Sequence, residues 1–198
     1  MKSVPVIVIA AAAAFWPLGP ANSANLTVVE VSAPAVNCVF NASCKVIVDD
    51  SSGALANASI GSSGGFLQSR TYPSQPGTPG AGTTAYEYRV DLTSGNPFAD
   101  CLAGVVINFG PVKQLTYPPA QPAHVFVTTK GGLGSVGIQS AEQDGDVITF
   151  TFSTYLCGGQ TSYFFGLAST AAPQTATATL FGIGNPPFIQ IDARTPIH

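Results

Sequence analysis

Residues 147–152 read Val-Ile-Thr-Phe-Thr-Phe, so Ile148, Phe150 and Phe152 recur at every second position. Successive side chains of a β-strand point to opposite faces, and this period of two predicts a strand with one buried face. Residues 175–180, Thr-Ala-Thr-Ala-Thr-Leu, repeat the pattern with threonines on one face and apolar side chains on the other. Half-buried strands of this kind are typical of antiparallel sheets.

Most of the chain has the same character, with short runs rich in Val, Ile, Thr, Tyr and Phe between Gly, Pro, Asn and Asp. No stretch sustains a helical period. The predicted strands cover residues 26–31, 36–40, 44–48, 85–92, 102–109, 112–117, 124–129, 147–153, 161–167, 174–181 and 188–193. Many short strands and no helices to cover a parallel sheet predict a single-domain antiparallel β-sandwich over residues 25–198, with Greek-key connections as a candidate topology.

Residues 49–84 differ in composition, because Ser, Gly, Pro and Ala dominate and little alternates. A long surface loop or loose hairpin is predicted here, with residues 73–82 (Pro-Ser-Gln-Pro-Gly-Thr-Pro-Gly-Ala-Gly) as irregular extended chain. Asp49-Asp50, before Ser-Ser-Gly, is interpreted as a solvated turn.

The first 24 residues predict an export signal. Lys2 precedes an apolar run over residues 4–16 that is too short to span a membrane, and the small residues at 21–24 suit a signal peptidase. The mature chain is expected to begin near Asn25, to carry no membrane anchor, and to be secreted or periplasmic.

Charge argues against nucleic acid and anionic membranes as partners. After the signal, six Lys and Arg residues face ten Asp and Glu residues, and the basic ones are scattered along the chain. Neutralising phosphates requires clustered basic side chains. The sequence does not identify a partner, and a cell-surface component and a small ligand are both left open as candidates.

Four cysteines in an exported chain predict disulfides, because the cell exterior and the periplasm are oxidising. Three pairings are open to four cysteines. Cys38 and Cys44 are near enough to close a small loop, whereas Cys101 and Cys157 lie in separate strand-like stretches, which favours 38 with 44 and 101 with 157. No C-x-x-C motif occurs and only two histidines are present, so no metal site is predicted.

Residues 131–137, Gly-Gly-Leu-Gly-Ser-Val-Gly, contain the G-x-G-x-x-G pattern of dinucleotide-binding proteins. That fingerprint needs a helix directly after it and an acidic residue about 20 positions further on. Residues 138–146 are too short and turn-rich for such a helix, and residues 153–157 read Ser-Thr-Tyr-Leu-Cys. The glycines therefore predict a bend between strands, and no cofactor is expected.

Glu142, Asp144 and Asp146 place carboxylates at alternate positions, as calcium loops do. The sharp-turn glycine and the closing glutamate of an EF-hand loop are missing. A hairpin with Asp144-Gly145 at the centre of a type I′ turn is the favoured interpretation. A calcium-stabilised adhesion module is kept as an alternative.

Catalytic groups are sparse in this sequence. A Ser-His-Asp arrangement has to use His124, which is predicted to be a strand-edge residue. A carboxylate pair for glycoside cleavage can be drawn from Glu87, Asp91 and Asp100. Glu87 and Asp91 flank Arg89 at a period of two, which favours a polar ladder on one strand face. No catalytic residue is assigned.

Aromatic side chains matter most for a binding function. The single tryptophan, Trp16, leaves with the signal. Tyr86 and Tyr88 lie on the strand face opposite Glu87, and are predicted to be in the core. Tyr72 and Tyr117, each followed by proline, are predicted to be the exposed ones.

Several stretches carry a resemblance. They are Phe-Leu-Gln-Ser-Arg-Thr-Tyr at 66–72, Tyr-Glu-Tyr-Arg-Val-Asp-Leu at 86–92, the glycines at 131–137, Thr-Ser-Tyr-Phe-Phe-Gly-Leu-Ala-Ser at 161–169 and Ala-Arg-Thr-Pro at 193–196. In these the chain, over roughly residues 55–198, is similar to a group of uncharacterised exported bacterial proteins. The resemblance implies a single exported domain with Cys101 and Cys157 as a matched pair, and it brings no activity with it.

The sequence as a whole predicts a binding or structural module. A secreted hydrolase that uses His124 or a carboxylate pair is the alternative.

Overall fold

The computed structural model describes residues 23–55, 64–94, 101–183 and 188–198. Almost all of the predicted export signal at 1–24 lies outside these residues, and so does Asp100. Across the described ranges, no helix has the length and apolar character needed to cross a membrane.

The described chain forms one helix and fourteen strands. In chain order they are β1 (Ala24–Asn25), β2 (Val28–Ser32), α1 (Ala33–Phe40), β3 (Asp49–Ala54), β4 (Phe66–Pro73), β5 (Thr84–Asp91), β6 (Cys101–Asn108), β7 (Leu115–Tyr117), β8 (Gln121–Ala123), β9 (Val125–Lys130), β10 (Ile138–Asp144), β11 (Val147–Leu156), β12 (Phe164–Ser169), β13 (Pro173–Ile183) and β14 (Phe188–Pro196).

Two six-stranded sheets pack face to face, which confirms the predicted β-sandwich. The first sheet has the order β1-β10-β11-β6-β13-β14 and the second has the order β2-β9-β12-β5-β4-β3, while β7 and β8 form a separate hairpin. All neighbouring strands are antiparallel except β2 and β9, which run parallel. This pair departs from the purely antiparallel expectation. Parallel strands need a long connection between them, and β2 and β9 are far apart in the chain.

The main core lies between the two sheets and is built from the alternating apolar residues of both inner faces. Phe150 of the first sheet packs on Phe165 of the second, with ring centroids 4.9 Å apart. Tyr86 and Tyr88 are fully buried here, as predicted. Their hydroxyls donate to backbone carbonyl oxygens, Tyr86 to Ala171 at 2.8 Å and Tyr88 to Arg194 at 2.7 Å. Both buried tyrosine hydroxyls on this face therefore have hydrogen-bond acceptors.

The prediction of strands at 36–40 and 44–48 is wrong. Residues 33–40 form α1, with Pro34 in its first turn, where a proline costs no hydrogen bond. Its buried residues Val36, Val39 and Phe40 are spaced by three and four positions, which is the spacing of one helix face. The stretch is too short for that period to be distinguished from a strand.

The long loop predicted at 49–84 is wrong for residues 49–54 and 66–73. These form β3 and β4, which continue the second sheet outward from β5. Strand β3 has small and polar residues because its inner side lies very close to β14, so that a Cβ on Gly53 would be 2.6 Å from a side-chain carbon of Ile191. Residues 56–63 of this stretch lie outside the described ranges, and of the described ones the turn after β4, over residues 74–83, keeps the irregular character that the composition predicts.

A second apolar cluster lies on the outer face of the second sheet, where α1 and the β7–β8 hairpin cover strands β2 and β9. Its aromatic rings belong to Phe40, Tyr72, Tyr117 and Phe126. Tyr72 and Tyr117 are 1% and 0% exposed, so the prediction that they are exposed is wrong. The cover comes from segments distant in sequence, and local composition does not reveal it.

Both predicted disulfides are present. Cys38–Cys44 joins the last turn of α1 to the residues that follow it, and Cys101–Cys157 joins the start of β6 to the residue after β11. Since β6 and β11 are paired neighbours, the second bridge links two strand ends. Two disulfides fit a protein of a non-cytoplasmic compartment.

Candidate functional site

A row of charged residues crosses the outer face of the second sheet. Asp50 on β3 lies directly opposite Arg70 on β4, and Arg70 lies directly opposite Glu87 on β5. The next strand, β12, presents Gly166 beside Glu87. The ring of Phe126 covers Gly166, since a Cβ there would lie 2.4 Å from Phe126 Cζ, so the charged row ends against an aromatic ring on that side of Glu87.

A cavity of about 300 Å³ opens above this row. Its floor is formed by side chains of the second sheet, namely Arg70, Tyr72, Glu87, Thr128 and Phe164. One wall is α1 and the chain just before β3, and the opposite wall is the glycine bend after β9. Ligand cavities in proteins span about 300 to 1,000 Å³, so this one is of the size that takes a small molecule.

The rim of the cavity is apolar and exposed. Leu133 of the glycine bend is 57% exposed, Val48 is 38% exposed, and Ile47 beside it is 89% exposed. Exposed large apolar side chains scattered singly need no explanation. Here Leu133 and Val48 both line the cavity, as in a site that receives a partly apolar molecule.

Glu87 is 7% exposed and faces the cavity. No hydrogen bond or ion pair from any other described residue reaches its carboxylate, although Arg70 is its direct cross-strand neighbour. Burial raises the pKa of Glu87 to about 7, with the Asp50 charge acting in the same direction and Arg70 in the opposite one. Near neutral pH this carboxyl therefore both gives and takes a proton readily.

Arg70 is held from two sides and remains open on the third. Its Nε lies 3.5 Å from a carboxylate oxygen of Asp50, which is ion-pair contact without a hydrogen bond, and this buried Nε has no hydrogen-bond acceptor among the described residues. The guanidinium carbon lies 4.3 Å from the ring centroid of Phe164, a cation–π distance. The stacking fixes the plane of the guanidinium beside the cavity.

Two hydroxyls on the cavity floor also lack partners. The Tyr72 hydroxyl and Thr128 Oγ1 are buried and make no hydrogen bond within the described part of the chain. A buried hydroxyl without a partner costs about 1 to 3 kcal/mol, so such groups are rare in native proteins unless they serve a ligand or bound water. With Arg70 Nε, three buried polar atoms of this cavity are unsatisfied.

The other two charged residues on this face of β5, Arg89 and Asp91, already have partners. Arg89 pairs with Asp91 at 2.9 Å, and its Nε donates to Gln68 at 3.1 Å. Gln68 in turn donates to Asp50 at 2.8 Å. The prediction that Glu87, Arg89 and Asp91 share one polar strand face is confirmed, and Glu87 is the member that this network leaves out.

The glycine stretch 131–137 forms a bend, as predicted, and a strand follows it where a nucleotide site would need a helix. Gly131 and Gly134 have positive φ angles of 70° and 114°. A Cβ on Gly134 would lie 2.2 Å from the Ser162 carbonyl oxygen. Glycine is therefore required where the bend passes the backbone of Ser162, just before β12.

His124 lies apart from the cavity lining. Its Nδ1 accepts a hydrogen bond from the Thr27 backbone N–H at 3.2 Å, and no carboxylate among the described residues is within ion-pair distance of the ring. Asp91 is likewise occupied, by Arg89 and by Thr93. Within the described ranges, neither His124 nor a pair of Glu87 with Asp91 is therefore part of the site, and Asp100 lies outside those ranges.

Glu142, Asp144 and Asp146 are exposed at one end of the first sheet, and no three carboxylate, histidine or cysteine side chains are grouped for a metal within the described ranges. The turn prediction is correct in place but shifted by one residue. Asp144 pairs with Val147, so Gly145 and Asp146 are the turn residues. Only Gly145 has a positive φ, 57°, and one glycine with positive φ at the first position is typical of a type II′ turn.

The cavity residues that sequence reasoning missed are Arg70, Tyr72 and Thr128. Arg70 and Tyr72 were placed in a loop, and Thr128 is an unremarkable strand residue. One signal was available: Gln68, Arg70 and Tyr72 alternate with Leu67, Ser69 and Thr71 at a period of two, which is a strand pattern with long polar side chains on one face.

Comparison with known protein families, with curated protein sequences and with solved structures finds no match to this chain.

Proposed function

We propose that this protein is an exported ligand-binding protein and that the cavity on the outer face of the second sheet is its binding site. The observation that carries the proposal is the set of unsatisfied polar atoms on the cavity floor, Arg70 Nε, the Tyr72 hydroxyl and Thr128 Oγ1. These atoms are closed to solvent, so a polar molecule in the cavity would reach them when their side chains rotate toward it. Export is supported by the apolar N-terminal segment and by the two disulfides.

Binding is favoured over catalysis by the composition of the lining. Glu87 is the one carboxylate among the lining residues, and no serine, cysteine or histidine stands beside it there. Hydrolysis by a nucleophile or a carboxylate pair requires a second group within reach of the same substrate atom. The apolar walls and few polar groups instead match the usual composition of a small-molecule site.

A set of small polar and zwitterionic compounds, screened by ligand-observed NMR, tests this function. Asn37→Phe places a ring in the cavity wall on α1 and should abolish binding. Ala35→Phe is the matched control, since Ala35 lies on the same helix but does not line this cavity. Compounds that bind the wild type and Ala35→Phe but not Asn37→Phe support the proposal. Equal binding to Asn37→Phe, or no binder at all, contradicts it.

A further inference from the structure

Two opposite charges in the cavity stand side by side without pairing. Arg70 and Glu87 are directly opposed in the antiparallel register of β4 and β5. Opposed side chains of such strands have Cβ atoms about 4.5 to 5.5 Å apart, close enough for an ion pair. No nitrogen–oxygen contact within ion-pair distance joins them, whereas Arg70 contacts Asp50 on its other side.

Each of the two side chains has a polar group without a hydrogen-bond partner among the described residues. Arg70 Nε is a buried donor without an acceptor, and a guanidinium binds carboxylates through parallel N–H donors. Glu87 is a buried acceptor that receives no hydrogen bond from the described chain. An anionic ligand without a positive group would bind Arg70 but would be repelled by the Glu87 carboxylate. A cationic ligand without a negative group would bind Glu87 but would be repelled by the Arg70 guanidinium.

We infer that the ligand is a small zwitterion with adjacent carboxylate and ammonium groups, namely a free amino acid with an apolar side chain. This inference rests on the proposed function and names the class of ligand for the same site. The carboxylate lies against Arg70, which then has a second anionic partner besides Asp50, and the ammonium lies against the buried Glu87, which gains an opposite charge.

The remaining groups of the cavity agree with this orientation. An ammonium has three N–H donors, and Glu87, the Tyr72 hydroxyl and Thr128 Oγ1 supply acceptors on the same floor. Above the floor the lining is apolar, from Val36 and Leu133 on opposite walls. That part of the cavity suits an aliphatic side chain pointing toward the apolar rim.

The experiment compares ligands that differ by one charge, using isothermal titration calorimetry on the wild-type protein. L-leucine is compared with 3-methylbutan-1-amine, which lacks the carboxylate, and with 4-methylpentanoate, which lacks the ammonium. Glycine keeps both charges but lacks the side chain. Leucine is expected to bind at least about tenfold more tightly than each of the three. For the amine and the carboxylate the reason is the lost charge-assisted contact, which is worth about tenfold or more, and for glycine it is the lost burial of the apolar side chain, worth about 1.5 to 3 kcal/mol, which is again about tenfold or more.

Variants then assign the two charges. Arg70→Gln and Glu87→Gln should each weaken leucine binding by about tenfold or more. Arg194→Gln is the matched control for the first, because Arg194 also pairs with a β3 aspartate, at 3.1 Å from Asp49, and its side chain is 27% exposed against 29% for Arg70. Glu142→Gln controls for the second. Both controls should bind leucine as the wild type does.

Two results would overturn the inference. If 3-methylbutan-1-amine binds as tightly as leucine, the site recognises a cation rather than a zwitterion. If leucine, valine and phenylalanine all fail to bind at millimolar concentration while other compounds bind and are lost in Asn37→Phe, the cavity is a binding site but the ligand class is wrong. Failure of every compound contradicts the proposed function as well.

Discussion

The two faces of the second sheet meet opposite requirements. On the inner face Tyr86 and Tyr88 are buried and each hydroxyl has a carbonyl acceptor. On the outer face Tyr72 and Thr128 are also buried, at 1% and 3% exposure, and neither hydroxyl has a partner within the described residues. Strands of the second sheet therefore have paired tyrosine hydroxyls on the core side and unpaired hydroxyls on the cavity side.

The two faces therefore contribute to the free energy of unfolding with opposite signs. Apolar burial on the inner face stabilises the sandwich at roughly 25 cal/mol per Å². On the outer face an unpaired buried carboxyl and two unpaired hydroxyls lower the stability. Groups that reduce stability while facing a cavity are what a binding site requires, because a ligand then supplies the missing partners.

The largest expected effect on stability comes from removing the disulfides, one of which lies in the sandwich and the other in its outer cover. Replacing Cys101 and Cys157 by serine should lower the free energy of unfolding by about 4 kcal/mol, because this bridge spans 56 residues and loop-closure entropy grows with loop length. The same change at Cys38 and Cys44, which are six positions apart, should cost about 2 kcal/mol.

Urea unfolding of the two double variants and the wild type measures both losses. Intact mass after alkylation without reductant should first show that the wild-type protein has no free thiol. If the 101–157 variant lost less free energy of unfolding than the 38–44 variant, the disulfide in the sandwich would not be the more stabilising of the two, and the prediction would be wrong.

An intermediate effect concerns Glu87 and depends on pH. Its pKa in the folded protein is about 7, raised from 4.5 chiefly by burial, so the folded state binds the proton more tightly than the unfolded state does. This contribution is fully present below about pH 4.5 and is lost as pH rises to about 7. Between pH 5 and pH 8 the wild type should lose on the order of 2 to 3 kcal/mol relative to Glu87→Gln.

The measurement is urea unfolding of wild type and Glu87→Gln at several pH values, taken as a difference so that other titrating groups cancel. Exposed Glu142→Gln serves as the control and should follow the wild type at every pH. Parallel wild-type and Glu87→Gln curves would show that the Glu87 carboxyl is paired or solvated in the folded protein.

The smallest effect compares two tyrosines directly. Tyr88→Phe removes a hydroxyl that donates to the Arg194 carbonyl at 2.7 Å, and should destabilise the protein by about 1 kcal/mol. Tyr72→Phe removes a hydroxyl without a partner, and should leave the stability unchanged or raise it by up to about 1 kcal/mol. Thermal and urea unfolding of the two variants side by side is sufficient. Equal destabilisation would mean that the two hydroxyls are equally satisfied.

Period-two patterns predicted correctly those strands in which one face is apolar. The pattern around Glu87 placed Tyr86 and Tyr88 inside and Arg89 outside, and the structure agrees. It failed for β3, because an edge strand made of Asp, Ser and Gly has no apolar face to recognise. It also failed for α1, whose eight residues are too few to distinguish a helical period from a strand.

By itself the sequence determined the sandwich, the disulfide pairs, the bend at the glycines and the polar face of β5. These follow from alternation, cysteine spacing and backbone geometry, which act over a few residues or on a few residue types. Only the tertiary structure decided that Tyr72 is buried and that Glu87, Arg70 and Thr128 share one cavity. Those side chains come from three strands, and the walls come from a helix and a bend on either side. A cavity is the space left between such distant segments, so no local pattern describes it.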